Sequence, residues 1–289
     1  MPRKAVSATA VPNSRSRTDR PVVRSNLKKP GASRAFSLQI STVSALTSPR
    51  HGLARVLSKL GVCSRTQGQG MVRAGRVQVN GRIVRDPEAP TDGERDRIAV
   101  DGAAVAAREK IYVVLNKPRG FVTTASDERG RDTVYTLLKN GNFGNVELPW
   151  IAPVGRLDKA SEGLLLFSND SVWAARLTDP ASHLDKTYHV QVDVLPDAHL
   201  LEKLRIGIDA DGEFLCARSV HELRRGEKNS WLEVVLDEGR NRQIRRLLAA
   251  FDIEVLRLLR VAIGPLALGD LAKGQWRFLN SDEVSSLTP

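Results

Sequence analysis

Two rhythms of apolar residues divide this chain of 289 residues. In the first, Leu53, Val56, Leu57 and Leu60 recur at i, i+3, i+4 and i+7, the stripe of an amphipathic helix, with Gly61 as its stop. Ser64 is placed to cap a second helix, but Gly68 and Gly70 fall inside it, each costing about 1 kcal/mol relative to alanine, so that helix is doubtful. Val77 and Val79 then alternate ahead of Asn80-Gly81, and Ile98 and Val100 ahead of Asp101-Gly102, which predicts short strands ending in tight turns. Ala103 to Lys110 reads as a linker. Beyond it the strand rhythm dominates. Ile111–Leu115 predicts a central strand, Phe121–Thr124 another, and Leu164–Phe167 a buried one; Tyr188, Val190, Val192 and Val194 share one strand face. Trp231–Leu236 predicts a further strand. Between these lie helix signals: Asp170 as cap with Trp173 and Leu177 on the buried face, Leu200, Leu201 and Leu204 after Pro196-Asp197, and Asn241 as cap with Ile244, Leu247 and Leu248 buried. Gly141 to Trp150 reads as a polar loop.

Composition sharpens this picture. The net charge is +11, which points to nucleic acid or another anionic partner. Residues 1–50 hold ten Lys and Arg against one acid, residues 51–102 nine against six, and residues 103–289 twenty-five against twenty-six. The basicity therefore sits in the first fifty residues. They lack an apolar period and read as a disordered, solvated tail that adds nonspecific attraction to RNA, with an organelle transit peptide or an extended start as the alternatives. Cys63 and Cys216 form neither a zinc spacing nor a disulfide framework, and His183, His199 and His221 form no metal spacing, so a reducing, cytoplasmic compartment and no metal are expected. No apolar stretch approaches the roughly 20 residues of a membrane helix.

The candidate chemistry centres on Gly155-Arg156-Leu157-Asp158, a loop leading into the apolar run Leu164–Phe167. On residue type alone, a carboxylate beside an arginine is more often a turn residue or an ion pair than a catalyst. The basic run Arg240-Asn241-Arg242-Gln243-Ile244-Arg245-Arg246 places Arg242, Arg245 and Arg246 on one helix face. A solvated face is the ordinary meaning of such a run, but at a helix start it also suits an anion. Lys117 and Arg119, in the turn Asn116-Lys117-Pro118-Arg119-Gly120, are expected to face RNA or to form an ordinary basic loop. Tyr188 reads by default as a core aromatic, and His189, on the opposite face, as exposed.

Two resemblances raise the catalytic reading. Leu57-x-x-x-Gly61-Val62-x-Ser64-Arg65, Gly75-Arg76-Val77-x-Val79-Asn80-Gly81 and Asp96-x-Ile98-x-Val100-Asp101-Gly102 resemble the alpha-L RNA-binding domain of a small-subunit ribosomal protein. The resemblance implies phosphate contacts from Arg55, Lys59, Arg65, Arg73 and Arg76 along one face. Farther on, Leu115-Asn116-Lys117-Pro118-x-Gly120, Gly155-Arg156-Leu157-Asp158-x-x-x-x-Gly163-Leu164-Leu165-Leu166, Lys186-Thr187-Tyr188 and Glu238-Gly239-Arg240-Asn241-Arg242-Gln243-Ile244-Arg245-Arg246 are similar to bacterial rRNA pseudouridine synthases of the RsuA/RluB type. Ser161 stands where that family usually has threonine. The resemblance implies an α+β fold: a mixed, mainly antiparallel sheet with flanking helices over residues 111–285, behind a small RNA-binding domain at 51–102. It further implies isomerisation of uridine in ribosomal RNA with no cofactor, by a protein that is usually monomeric.

Under that reading Asp158 acts at the sugar, as nucleophile or as base and cation stabiliser, and Arg245, or else Arg242, pairs with it. Tyr188 stacks on the displaced uracil, Arg156 fills the vacated space or holds the flanking backbone, Arg240 and Arg242 bind substrate, and Leu258 or Leu259 closes the pocket. A non-catalytic ribosome-assembly factor on the same fold is the alternative, and a nucleoside hydrolase a distant third, for want of a second paired carboxylate. If the tail binds RNA, removing residues 1–50 lowers nonspecific RNA affinity and flattens its dependence on salt; binding isotherms at several salt concentrations check this.

Overall fold

A computed structural model describes residues 50–106, 108–125, 127–139 and 148–288. The basic tail lies outside the described residues, apart from Arg50, and so does most of the expected loop from Gly141 to Trp150. The helices are α1 (Leu53–Lys59), α2 (Arg65–Arg73), α3 (Val134–Lys139), α4 (Ser171–Thr178), α5 (Ala198–Ile206), α6 (Gln243–Ala249) and α7 (Ser281–Ser286). None is long and apolar enough to cross a membrane among the described residues.

The first unit packs α1 and α2 on a small four-stranded antiparallel sheet. Its strand order is Arg82–Ile83, Val77–Val79, Ile98–Val100, Ala103–Ala104. Asn80-Gly81 and Asp101-Gly102 both turn with positive φ at the two positions, as tight hairpins of matching twist require. The segment expected to link the domains thus begins as a strand of this sheet. The doubtful second helix forms, and two features explain it. Ser64 and Gln67 close a reciprocal capping box, Gln67 N to Ser64 Oγ at 3.2 Å and Ser64 N to Gln67 Oε1 at 3.0 Å. Gly68 lets α2 approach α1 closely: a Cβ there would meet the Ala54 carbonyl oxygen at 3.2 Å. What Gly68 lacks in helix propensity is offset by packing of Leu53, Leu57 and Val72, each wholly buried and contributing about 1.5–3 kcal/mol.

The second unit is built on one nine-stranded sheet. Its main path runs Ser219–Arg225, Ser230–Leu236, Lys186–Val192, Val255–Ile263, Glu162–Ser168, Tyr112–Lys117, Trp276–Phe278. All pairings are antiparallel except that between Val255–Ile263 and Glu162–Ser168. The strand expected to be central, Tyr112–Lys117, lies one place from the sheet edge, although both its faces are covered. Phe121–Thr124 is not a strand. Only Val122 forms a bridge, to Thr133, and Thr123 turns its hydroxyl to the Asp158 loop instead.

The leucine run explains its own composition. Leu164 and Leu166 point into a cluster with Trp173 and Leu177 of α4, while Leu165 and Phe167 point into another with Val113, Leu115 and Trp276. A strand covered on both faces needs no polar alternation. At its start, Gly163 has φ +102°, and a Cβ there would sit 2.2 Å from the Arg260 carbonyl oxygen. The parallel pairing of Leu259 with Glu162 and Arg260 with Gly163 therefore requires glycine. Beyond it, Tyr188, Val190 and Val192 join a third cluster with Leu204 of α5 and Ile244, Leu247 and Leu248 of α6.

Gly163→Ala is expected to lower stability by about 3 kcal/mol or more, because backbone rather than a flexible side chain is in the way. Gly70 has open space where its Cβ would be, so Gly70→Ala is expected to stabilise by about 0.5–1 kcal/mol while Gly68→Ala destabilises. Denaturant titrations of the three variants check both signs.

Candidate active site

Asp158 stands on a loop whose backbone is held at successive carbonyls. Leu157 is buried and Asp158 exposed, so the loop is anchored by one side chain and presents the next. The Leu157 carbonyl accepts from Thr123 Oγ1 at 2.8 Å. The Asp158 carbonyl accepts from Lys117 Nζ at 3.0 Å and from Ser161 N at 3.0 Å. The Lys159 carbonyl accepts from Gly120 N at 2.8 Å, the Ala160 carbonyl from Arg245 Nη2 at 3.4 Å, and the Ser161 carbonyl from Lys117 Nζ at 2.8 Å. Five consecutive carbonyls are thereby fixed, and the Asp158 carboxylate is carried on a rigid platform.

Lys117 does not face RNA. It is 0% exposed, and its third donation goes to the Pro118 carbonyl at 3.2 Å. An ammonium has three donors and no acceptor, and here all three meet carbonyls. Burial pushes its pKa down to about 8, against the opposing pull of Asp158 and Glu162. Glu162 is also buried, which pushes its carboxyl up, but hydrogen bonds from Lys273 (2.6 Å) and Arg257 (3.2 Å) outweigh burial and leave it below its ordinary value.

The carboxylate opens on a cleft of about 770 Å³ bounded by the Asp158 loop, the strand carrying Tyr188, and the segment leading into α6. Arg156, Tyr188, Arg240, Arg242 and Leu258 all line it. Leu259, the other candidate for closing the pocket, packs into the core cluster under α4. Tyr188 is mostly buried and shares the core face of its strand, as its stripe predicts, while one side borders the cleft. His189 faces the other way, with Nε2 3.6 Å from a Glu233 carboxylate oxygen.

The arginine helix departs from the expected geometry. Asn241 is not its cap. Arg242 occupies that position with φ 49°, and Gln243 opens the helix while accepting from Arg240 N at 3.2 Å through Oε1. The left-handed turn at Arg242 breaks the shared face. Arg242 borders the cleft, Arg246 turns outward to the Ala210 carbonyl (2.8 Å) and the Asp211 and Glu213 carboxylates, and Arg245 runs under the Asp158 loop. Arg245 does not form the expected direct pair with Asp158. Its donations go to the Ala160 and Val255 carbonyls, and its buried Nε has no partner among the described residues. The two charges nonetheless feel each other. Burial lowers the Arg245 pKa, Arg242 and Arg119 lower it further, and Asp158 raises it.

In the small unit, Arg55, Lys59 and Arg65 border one hollow of about 310 Å³, walled on its far side by Trp150, Gly155 and α4. Arg73 and Arg76 do not border it; Arg76 is held by Asp101 at 2.5 Å. Lys59 donates to His51 Nε2 at 2.8 Å, and its pKa is lowered by burial and then by Arg55. Sequence reasoning missed Lys186 and Arg260, both on the cleft wall. The signal was present: each lies two residues from a residue already singled out, Tyr188 or Leu258, and so shares its strand face.

Lys117→Met is expected to lower stability by about 3 kcal/mol at neutral pH, because it leaves buried carbonyls unpaired. The native ammonium releases its proton near pH 8, whereas in the unfolded chain it holds it to about 10.4. The unfolded state therefore binds more protons in that window, and stability from this site rises with pH across it. The advantage of wild type over Lys117→Met should accordingly grow from pH 8 to 10, read by urea unfolding of both proteins.

Comparison with known proteins agrees with this geometry. Residues 111–250 match the RNA pseudouridylate synthase family, and residues 52–94 match the S4 domain. The chain is 37% identical over 81% of its length to an RNA pseudouridine synthase of Aquifex aeolicus, covering 92% of that protein. It is 36% identical over 81% of its length to the ribosomal large subunit pseudouridine synthase B of Bacillus subtilis, covering 94% of it. A solved pseudouridylate synthase structure superposes with a TM-score of 0.56 at 28% identity, over 83% of this chain and 100% of that one. With its S4 domain, its mixed sheet and its cleft at Asp158, this chain belongs to the RNA pseudouridine synthase family of isomerases.

Proposed function

We propose that the protein isomerises uridine to pseudouridine in ribosomal RNA of the large subunit, in the cytoplasm, with Asp158 as the catalytic carboxylate. The observation that carries the reading is the rigid presentation of Asp158 into a cleft bordered by Tyr188, Arg242 and Leu258. The large-subunit substrate is supported by the likeness to the Bacillus subtilis protein.

In this reading the target uridine leaves its stack and enters the cleft. Tyr188 stacks on the uracil, an interaction of about 1–3 kcal/mol in single-strand recognition. Leu258 closes the apolar side. Arg156 and Arg240, both exposed at the rim, and Arg242 hold the flanking phosphates. Asp158 acts at the ribose, as nucleophile or as base and cation stabiliser, when the bond to the ring nitrogen breaks. Arg245 acts through its charge and through the Ala160 carbonyl rather than by direct contact, holding the loop in place beneath the carboxylate. Arg55, Lys59 and Arg65 bind a neighbouring RNA backbone, and Arg73 and Arg76 contribute outside that hollow.

Large-subunit rRNA tritiated at carbon five of uracil should release tritium with the wild-type protein, and Asp158→Asn should abolish release while leaving RNA affinity within about twofold. Equal release by both proteins would remove Asp158 from the mechanism. Pseudouridine mapping in rRNA from cells with and without the gene identifies the position: one large-subunit uridine should lose its modification.

A further inference from the structure

Two cations on the cleft wall take no part in holding the Asp158 loop. Arg260 lies opposite Tyr188 in the register of neighbouring strands, and only 6% of it is exposed. Its Nε donates to the Leu164 carbonyl at 2.8 Å, but its Nη2 is buried with no acceptor among the described residues. A buried donor left unpaired costs about 1–3 kcal/mol, so its retention calls for a reason. Lys186 borders the same cleft, two residues before Tyr188 on the same strand face.

The acids near Lys186 are engaged elsewhere. Asp185 pairs with Arg218 at 2.7 Å, Glu238 with Arg240 at 2.9 Å and with Gln243 at 2.8 Å, and Asp237 faces His183 at 3.9 Å. The Lys186 pKa is lowered by burial and then by the charge of Arg260, against the pull of those three acids. Two neighbouring cations thus border a partly apolar cleft, where Leu177 and Leu258 also stand, and neither has a carboxylate within ion-pair distance among the described residues. An oxygen-rich guest that carries negative charge would lie against both cations.

We propose that Arg260 and Lys186 hold the carbonyl oxygens of the displaced uracil and stabilise the negative charge the base acquires when it separates from the ribose. This rests on the isomerase reading of the cleft. When the N1–C1′ bond breaks, its electron pair stays on N1 and spreads through the ring onto O2 and O4, while Asp158 meets the electron deficiency at the sugar. C5 then attacks C1′ and forms the new carbon–carbon bond. The proton on C5 departs and N1 takes one up, so no atom or electron is gained or lost. Donors fixed in advance where charge develops, in a site shielded from water, stabilise the transition state more than the ground state. Tyr188, between them on the sheet, supplies the stacking face.

The test uses the full-length chain and two large-subunit rRNA transcripts, one made with uridine and one with 5-fluorouridine, whose base is a more acidic leaving group. Single-turnover loss of the N-glycosidic bond at the target position is measured by digestion and chromatography. With uridine, Lys186→Met and Arg260→Gln should each slow the reaction by about 100-fold, as loss of one oxyanion donor does, with little change in RNA affinity. With 5-fluorouridine the loss should be distinctly smaller, and Arg260→Lys should recover part of the uridine rate. The Lys186 side chain makes no hydrogen bond or ion pair to the scaffold among the described residues, so Lys186→Met keeps the test valid even if Arg260→Gln unfolds. Equal losses on both transcripts, a loss confined to affinity, or unchanged rates would overturn the proposal. If instead the wild type leaves both transcripts intact, or Asp158→Asn matches it, the isomerase reading itself falls.

Discussion

A single buried ammonium underlies the architecture of this site. Lys117 stands at the end of a strand with no exposure and gives its three protons to carbonyls, two of them in the Asp158 loop. Burying such a charge is costly unless every donor is met. The arrangement repays that cost by converting a surface loop into a fixed mount. The exposed carboxylate needs little else to hold it, because its backbone cannot move without uncovering a charge in the interior. Arg245 adds to the same platform from the other side, through the Ala160 carbonyl. Both cations thus act on the loop's backbone, and the carboxylate is left without an ion pair among the described residues.

The sheet decides which segments can meet there. One parallel pairing, between Glu162–Ser168 and Val255–Ile263, brings the strand after Asp158 beside the strand that carries Leu258 and Arg260. Close approach at Gly163 makes this join possible. The same C-terminal strand pairs on its other edge with the Tyr188 strand, so Asp158, Tyr188 and Arg260 converge although they come from three separate parts of the chain. Glu162, tied to Arg257 and Lys273, braces the join from behind.

Much of this was legible in the residues. Ser64 and Asp170 cap helices as expected, a helix follows Pro196-Asp197, and the Tyr188 stripe faces the core. What escaped depended on partners remote in sequence. A lysine in a Pro-Gly turn reads as exposed because nothing nearby announces the carbonyls waiting for it. Two glycines in α2 read as helix breakers, because the reason for Gly68 lies on α1, at Ala54. The arginines of α6 read as one face because a regular helix was assumed through Arg242, whose left-handed backbone redirects the run. Lys186 and Arg260 carried a period-two signal, but only the cleft shows that their face is a wall rather than core.

The parallel join has a consequence for how the molecule matures. During synthesis the S4 domain, residues 52–94, is complete long before Arg260 emerges, so the two parts of the chain become able to fold at well-separated times. The loop's contacts with Thr123, Lys117 and Gly120 come from chain already made, but its contact with Arg245 and the parallel partner of its strand arrive only when a segment made about a hundred residues later docks, a slow, nonlocal closure. Until then Asp158 lacks the far wall of its cleft.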